Sequence, residues 1–477
     1  MKTPIYTKLR HLKNEKRIPF HMPGHKRKPV GAFTEGDLTI NDCDITEITG
    51  YDNLHHPEGM IRESMDQLRD LYHSRESWYL VNGSTVGLLA SIASVCDVGD
   101  SILIARNCHK AVYNAIKLLH LKAFYWYPKY SSQYDILLDY PTEGLKELLA
   151  EHPEIRAMVI TSPTYEGVVS RVSKIKQILN EYQLPLIVDE AHGAHFIHND
   201  YFPESAVRSG ADLIIQSAHK TLPSFTQTGL LHLCGDLVSK ERVHDNLATF
   251  ETSSPSYLLM ASAEYGVAYM SQEGDKVQEY VDKLEDFRKE CGQLQHIHLI
   301  SGEELNAYDY DRAKLVFSVK NLKDSDESVY DGQKLFTEML NRYHVEFEMA
   351  NASYCIAMTS VCDQWEDYQA LLDGLFSIDQ RLKKEDKESR LDVGRAEKVM
   401  ESWQAGKLPG EEIPIQQAAY CIARDFVYLY PPDIPILVPG ERISPEIVEN
   451  VELYLYNGYN VRGVTQDKIR VIKGERS

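Results

Sequence analysis

Four short stretches of the chain bring reactive side chains to the ends of apolar runs or the starts of helical patterns. Ile215-Gln216-Ser217-Ala218-His219-Lys220-Thr221 delivers a hydroxyl, an imidazole and an amine to one place. An amine becomes a Schiff-base nucleophile only when its surroundings lower its pKa; otherwise a lysine after a strand is simply solvated. Leu186-Ile187-Val188-Asp189-Glu190-Ala191-His192 ends an apolar run in a carboxylate. Buried, Asp189 can pair with a protonated heterocyclic nitrogen; in the open, it caps the next helix. Asn82-Gly83-Ser84-Thr85-Val86-Gly87 leads into an apolar helical stretch. Gly83 there allows close backbone approach, and Ser84 or Thr85 caps a helix whose first amides point at an anion such as phosphate. An ordinary capped helix reads the same way. Ala105-Arg106-Asn107-Cys108-His109-Lys110 offers His109 either as the cover of a flat ring or as a structural imidazole. His192, His195 and His198 are evenly spaced, but no carboxylate–histidine pattern of a zinc site accompanies them, so no metal is expected.

These stretches need a scaffold. Apolar runs predict strands at Ser101–Ala105, Ala123–Tyr127, Ala157–Thr161, Leu186–Asp189 and Leu213–Ser217. Patterns near a period of 3.6 predict helices at Val86–Cys96, Lys110–His120, Thr142–Glu151 and Val172–Tyr182. Strand–helix–strand alternation implies a mainly parallel sheet with helices on both faces, and ligands bind such sheets at the carboxyl ends of the strands. Thr228–Cys234 reads as an antiparallel return after the Lys220 loop. Helical character from Tyr257 to about Lys289 bridges to a second, α+β region with strands at Lys314–Val319, His344–Met349 and Tyr354–Met358. Asp379–Lys398 reads as a solvated helix or linker face. The tail from Pro414, with Pro431-Pro432-Asp433 and Val438-Pro439-Gly440-Glu441, reads as rigid and irregular. The expected division is an arm over 1–50, a large domain over 51–290 and a smaller C-terminal part over 291–477.

The bulk properties exclude several classes. At 477 residues and 43% hydrophobic, the chain can bury one large core and at least one smaller one. A formal net charge of −20 argues against nucleic acid as a partner. No apolar run approaches the ~18 residues of a membrane span, and the polar, basic start is not a secretory signal. Eight scattered cysteines without a CxxC pair fit a reducing cytoplasm.

The order of the four stretches is more specific than any one of them. Phosphate cradle, ring cover, carboxylate and then Ser-x-His-Lys resembles the chain order of the aspartate-aminotransferase-like (fold type I) pyridoxal-phosphate (PLP) enzymes. Within that fold the sequence resembles the short form of the Orn/Lys/Arg decarboxylase family. The likeness rests on His21-Met22-Pro23-Gly24-His25-Lys26, on Ser217-Ala218-His219-Lys220 with the following Thr221 to Gln227, on Thr252-Ser253-Ser254-Pro255-Ser256-Tyr257, and on Tyr430-Pro431-Pro432 with Val438 to Glu441. It runs from about residue 15 to about residue 460.

The resemblance implies an α/β, PLP-dependent transferase-like fold and decarboxylation of a basic amino acid, with arginine, giving agmatine, ahead of lysine or ornithine. It implies that Lys220 carries PLP as a Schiff base, that Asp189 pairs with the pyridine nitrogen, that His109 stacks on the ring and that His192 lies near its phenolic oxygen. Ser84, Thr85, Ser217 and His219 are expected on the phosphate. Thr252 and Ser253 are expected to reach the cofactor of a partner subunit in a homodimer or homotetramer. Lys220 or His219 returns a proton to Cα, and Glu441 is expected to meet the distal cation of the substrate. The long, acid-induced members carry an extra N-terminal receiver-like domain; with only about 50 residues ahead of the large domain, decameric assembly is not expected here. An aminotransferase or C–S lyase of the same fold is the nearest rival, but neither Arg424 nor Arg442 sits in a recognised carboxylate-clamping pattern. A PLP-binding protein without catalysis would have a damaged site, and a nicotinamide dehydrogenase would show G-x-G-x-x-G after a strand; neither holds.

Overall fold

The computed structural model describes residues 4–28, 40–385, 395–429, 434–456 and 460–476. The expected segment Tyr430-Pro431-Pro432-Asp433 lies outside them. A short strand β1 (Ile18–Phe20) precedes a seven-stranded sheet built from β2 (Glu76–Leu80), β3 (Ser101–Ala105), β4 (Lys122–Trp126), β5 (Ile155–Thr161), β6 (Leu186–Asp189), β7 (Leu213–Gln216) and β8 (Gly229–Leu233). The order across the sheet is β2-β8-β7-β6-β5-β3-β4. The pairs from β7 to β4 are parallel, while β8 runs antiparallel to both β7 and β2.

The central strands read as unbroken apolar runs because both of their faces are covered. β3, β6 and β7 are buried at every position. Parallel neighbours need crossovers, and helices supply them: α1 (Gly83–Val95), α2 (Lys110–Leu118), α3 (Leu145–Glu151) and α4 (Val172–Glu181). In α4 the buried residues Val172, Ile175, Ile178 and Leu179 recur at helical spacing and form its inner stripe. Thr228–Cys234 contains the antiparallel return, β8. It hands Lys220 back across the sheet instead of out to a further parallel strand.

The long helical stretch after Pro255 is two helices, α5 (Tyr257–Gln272) and α6 (Gly274–Cys291), broken at Glu273. The helix-weakening Gly274 with Asp275 in the first turn restarts the pattern there. Beyond it, β9 (Lys314–Ser318), β10 (Val345–Phe347) and β11 (Tyr354–Met358) form the second region. β9 and β11 pair antiparallel, and β10 takes β1 as a parallel partner. This region joins the same apolar cluster as the large sheet, through Phe317, Phe347 and Leu371.

Two expectations change. The solvated stretch expected over Asp379–Lys398 changes at its start, where Asp379 is buried and accepts the amides of Gln295, His296 and Ile297 at 2.7–2.8 Å; Lys383 and Lys384 are exposed, and residues 386–394 lie outside the described residues. The tail is not irregular, since Gly410–Pro414, Cys421–Ala423, Glu441–Arg442 and Lys468–Arg476 belong to a six-stranded sheet over a separate apolar cluster that includes Ile415, Leu437 and Val471. Pro414 ends one strand and Pro435 opens another, positions a strand tolerates.

Candidate active site

The carboxyl ends of β6 and β7 lie side by side, so the residues that follow them share one edge of the sheet. Lys220 stands in a single helical turn, Ala218–Thr221, immediately after β7. Its Nζ lies 3.0 Å from Nε2 of His192, which follows β6. Burial pushes the Lys220 amine below the usual lysine range, while the carboxylates of Asp189 and Glu348 pull it upward. Asp189, the last residue of β6, is itself buried and accepts one hydrogen bond from the Ala191 amide, at 3.2 Å. Burial raises its carboxyl, and the Lys220 ammonium opposes that rise. A buried carboxylate with spare acceptor capacity thus shares one sheet edge with a half-buried amine.

The imidazoles around them are held neutral. His109 caps α2 and accepts the Ala111 amide on Nδ1 at 3.2 Å, so its proton sits on Nε2. Burial, with Lys220 nearby, pushes it down to about 4. His219 gives its Nδ1 proton to the Thr228 carbonyl at 2.8 Å, leaving Nε2 as an acceptor; burial pushes it to about 4 as well. His192 is driven well below the usual histidine range by burial and by Lys220 and Lys314.

A second group of polar atoms faces the start of α1. Ser84, in its first turn, shares a 2.7 Å hydrogen bond with Ser217, and Gly83 has φ +73°, the left-handed region that favours glycine. Hydroxyls and free amides thus converge as an oxyanion would require. Thr85 is exposed beside them. Thr252 and Ser253 are exposed too, and the Thr252 amide bonds the Asn82 side chain at 3.0 Å, which ties that loop to the same helix start. Behind it, buried Glu251 accepts the Val81 amide at 2.6 Å, and burial raises its carboxyl to about 7.

Glu441 is a correction. It is fully buried, and Arg106 grips both of its oxygens, Nε on Oε1 at 3.0 Å and Nη2 on Oε2 at 2.8 Å. Oε2 also takes the Val438 amide. A carboxylate so engaged has no face left for a substrate cation. It clamps the C-terminal sheet onto the large one. The three evenly spaced histidines go separate ways: His192 to Lys220, His195 to Asp311 at 3.1 Å, and His198 towards Ser271. Among the described residues no group is placed to hold a metal ion.

Sequence reading missed the site's rear wall. Lys314, the first residue of β9, is 1% exposed and puts Nζ 2.6 Å from His192 Nδ1. Glu348 accepts the Met22 amide at 3.0 Å and the Tyr165 hydroxyl. The ring of Tyr165 meets that of His192 edge-on at 4.8 Å. The one available signal was a lysine opening an otherwise apolar strand. The His21–Lys26 motif also finds its place here. The Gly24 amide donates to the His219 carbonyl at 2.7 Å, and a Cβ at Gly24 would stand 2.4 Å from the Leu222 carbonyl oxygen.

Comparison with known proteins agrees with this geometry. Residues 3–357 match the family described as Orn/Lys/Arg decarboxylase, major domain. An arginine decarboxylase of Bacillus subtilis is 31% identical, over 100% of this chain and 99% of its own. An arginine decarboxylase of Bacillus anthracis is 30% identical, over 99% and 97%. The lysine decarboxylase LdcF of Francisella novicida superposes with a TM-score of 0.74 at 20% identity, over 88% of this chain and 73% of that one. The last likeness concerns the fold, which is that of the fold type I PLP enzymes.

Proposed function

The chain belongs to the Orn/Lys/Arg decarboxylase family, and from that premise we propose that it removes the α-carboxylate of L-arginine, giving agmatine and CO2, with PLP as cofactor. One observation carries the reading: Lys220, half-buried just after β7 with Nζ 3.0 Å from His192 Nε2, and Asp189, buried at the end of the adjacent β6, share one edge of a parallel sheet. Arginine is preferred over lysine and ornithine because the relatives bearing that name match the chain over its whole length.

The donor set fits PLP. Ser84, Thr85, Ser217 and His219 would hold its phosphate, Asp189 its ring nitrogen, His109 a ring face and His192 the phenolic edge. Lys220 would hold the aldehyde carbon. When bound, PLP supplies a carbonyl that condenses with amines and a protonated ring that accepts the electron pair left by a departing carboxylate. The chain's own residues set the conditions. Lys220 must be unprotonated to bond to carbon, and its buried position favours that state. Asp189 would hold a proton on the ring nitrogen by a charge fixed in place before substrate arrives. His109, neutral, would cover the ring without adding charge. After CO2 leaves, Lys220, or His219 once its Nε2 has taken up a proton, would hand a proton back to Cα.

Thr252 and Ser253, exposed at the rim, would complete the site of a partner subunit in a homodimer or homotetramer. All eight cysteines are unpaired, which fits a reducing cytoplasm.

The experiment is direct. Purified protein with PLP is incubated separately with arginine, lysine and ornithine, and the amines and CO2 are followed by mass spectrometry. Agmatine alone is the expected result. Cadaverine or putrescine instead would keep the chemistry and change the substrate. No CO2 from any of the three would move the chain to another reaction of this fold.

A further inference from the structure

His192 has a lysine on each ring nitrogen: Lys220 Nζ at 3.0 Å from Nε2 and Lys314 Nζ at 2.6 Å from Nδ1. A neutral imidazole carries one N–H and one lone pair, and an ammonium has donors only. The lysine on the lone-pair side is therefore satisfied as an ammonium. The lysine on the N–H side is satisfied as a free amine. We infer that Lys314 is a positioning residue for Lys220: the two amines share one proton through His192, and whichever releases it leaves the other charged. The transfer balances. Lys220 gives a proton to Nε2 as Nδ1 gives its proton to Lys314: an N–H bond breaks on Lys220 and forms at Nε2, an N–H bond breaks at Nδ1 and forms on Lys314, and the net charge of the site is unchanged.

The surroundings suit a shared proton. The ring stays neutral because it is buried, with a lysine on either side to oppose a positive charge on it. Burial lowers the Lys314 amine to about 8, with Asp311 and Glu348 raising it and Lys220 and Lys26 lowering it. Both charge states are then accessible near neutral pH. Asp311 is held by His195 Nε2 and by the Ala313 amide, both on Oδ1, while Oδ2 accepts no hydrogen bond among the described residues. The Tyr165 ring lies 5.6 Å from Lys314 Nζ. Lys26 Nζ is occupied by the carbonyls of His21 and Met358. With Lys314 1% exposed, the proton has a built path to Lys220 that does not use bulk water.

The inference rests on Lys220 being the reactive amine of the proposed function. The test is competitive acetylation of the full-length chain before PLP is added, with mass spectrometry of the Lys220 peptide across pH. Lys314→Met frees the ring to offer Nε2 as an acceptor, so the Lys220 midpoint should rise by about one pH unit. Lys314→Arg fixes a permanent donor on Nδ1 and a proton on Nε2, so the midpoint should fall. Opposite shifts are the expected result; equal midpoints, or shifts of one sign, overturn the coupling. Should the arginine variant fail to fold by circular dichroism, nitrogen NMR of wild-type His192 decides. Its protonated and unprotonated ring signals should exchange places as pH crosses the Lys220 midpoint, and fixed signals overturn the coupling. Borohydride reduction after PLP addition separates the two readings. A label on another lysine rejects the proposed function, whereas a label on Lys220 with an unshifted midpoint rejects the coupling alone.

Discussion

Arg106 and Glu441, 335 residues apart, meet in a two-point ion pair whose carboxylate is fully buried. Removing one partner of a buried pair strands the other charge, which costs about 3–5 kcal/mol. Arg106→Met should therefore lower the midpoint of urea unfolding sharply. Glu441→Gln should destabilise less and leave the relative kcat/KM values for arginine, lysine and ornithine unchanged. A selective loss of arginine turnover in Glu441→Gln would restore that carboxylate to the substrate.

Lys220→Ala removes the amine and little else from the sheet edge. Turnover should fall by about 10³-fold or more, and the chain should no longer retain PLP through reduction with borohydride. Measurement needs only the absorbance of the reduced, desalted protein and a single-turnover assay. Wild-type rates in this variant would end the assignment.

Asp189→Asn keeps shape and volume but deletes a charge. The carboxylate accepts one backbone amide, which an asparagine oxygen can still take. The variant should bind PLP, fold normally and lose about 10²–10³-fold in kcat. Full activity would remove Asp189 as the partner of the ring nitrogen.

Glu251 gives a pH prediction of definite sign. Its carboxyl is raised from 4.5 to about 7 in the folded chain. Between those values folding takes up a proton, so this group's contribution to stability declines as pH rises through the window and stays low above it. Glu251→Gln keeps an oxygen for the Val81 amide and cannot ionise. Urea titrations should show it more stable than wild type by about 2 kcal/mol above roughly pH 8, and no different near the acidic end of the window. A pH-independent difference would mean that the carboxylate is not carrying the penalty.

What the sequence disclosed follows from distance along the chain. Ser217, His219 and Lys220 are neighbours on one turn, and Asp189 with His192 on another, so local pattern sufficed once two adjacent strands were inferred. The strands themselves were legible because a parallel sheet buried on both faces writes its core as unbroken apolar runs. Lys314 was not legible, since its meaning lies in a histidine 122 positions away. The pairing of Glu441 was hidden for the same reason: its partner, Arg106, arrives from the large sheet 335 positions earlier. β2 went unread because Glu76 and Ser77, both buried, interrupt its apolar pattern; Glu76 is paired by Arg62 and Lys240.

The turn after β1 leans on residues encoded 326 to 336 positions later: Met22 on Glu348, Lys26 on Met358, Gly24 on Ser360. The same turn backs the loop that bears Lys220. On the ribosome, then, the first piece of this wall to be made must wait for the last. A nascent chain would display the lysine motif long before it had a finished pocket around it. Capture of the proposed cofactor would then come late in synthesis, after the final strands of the second region.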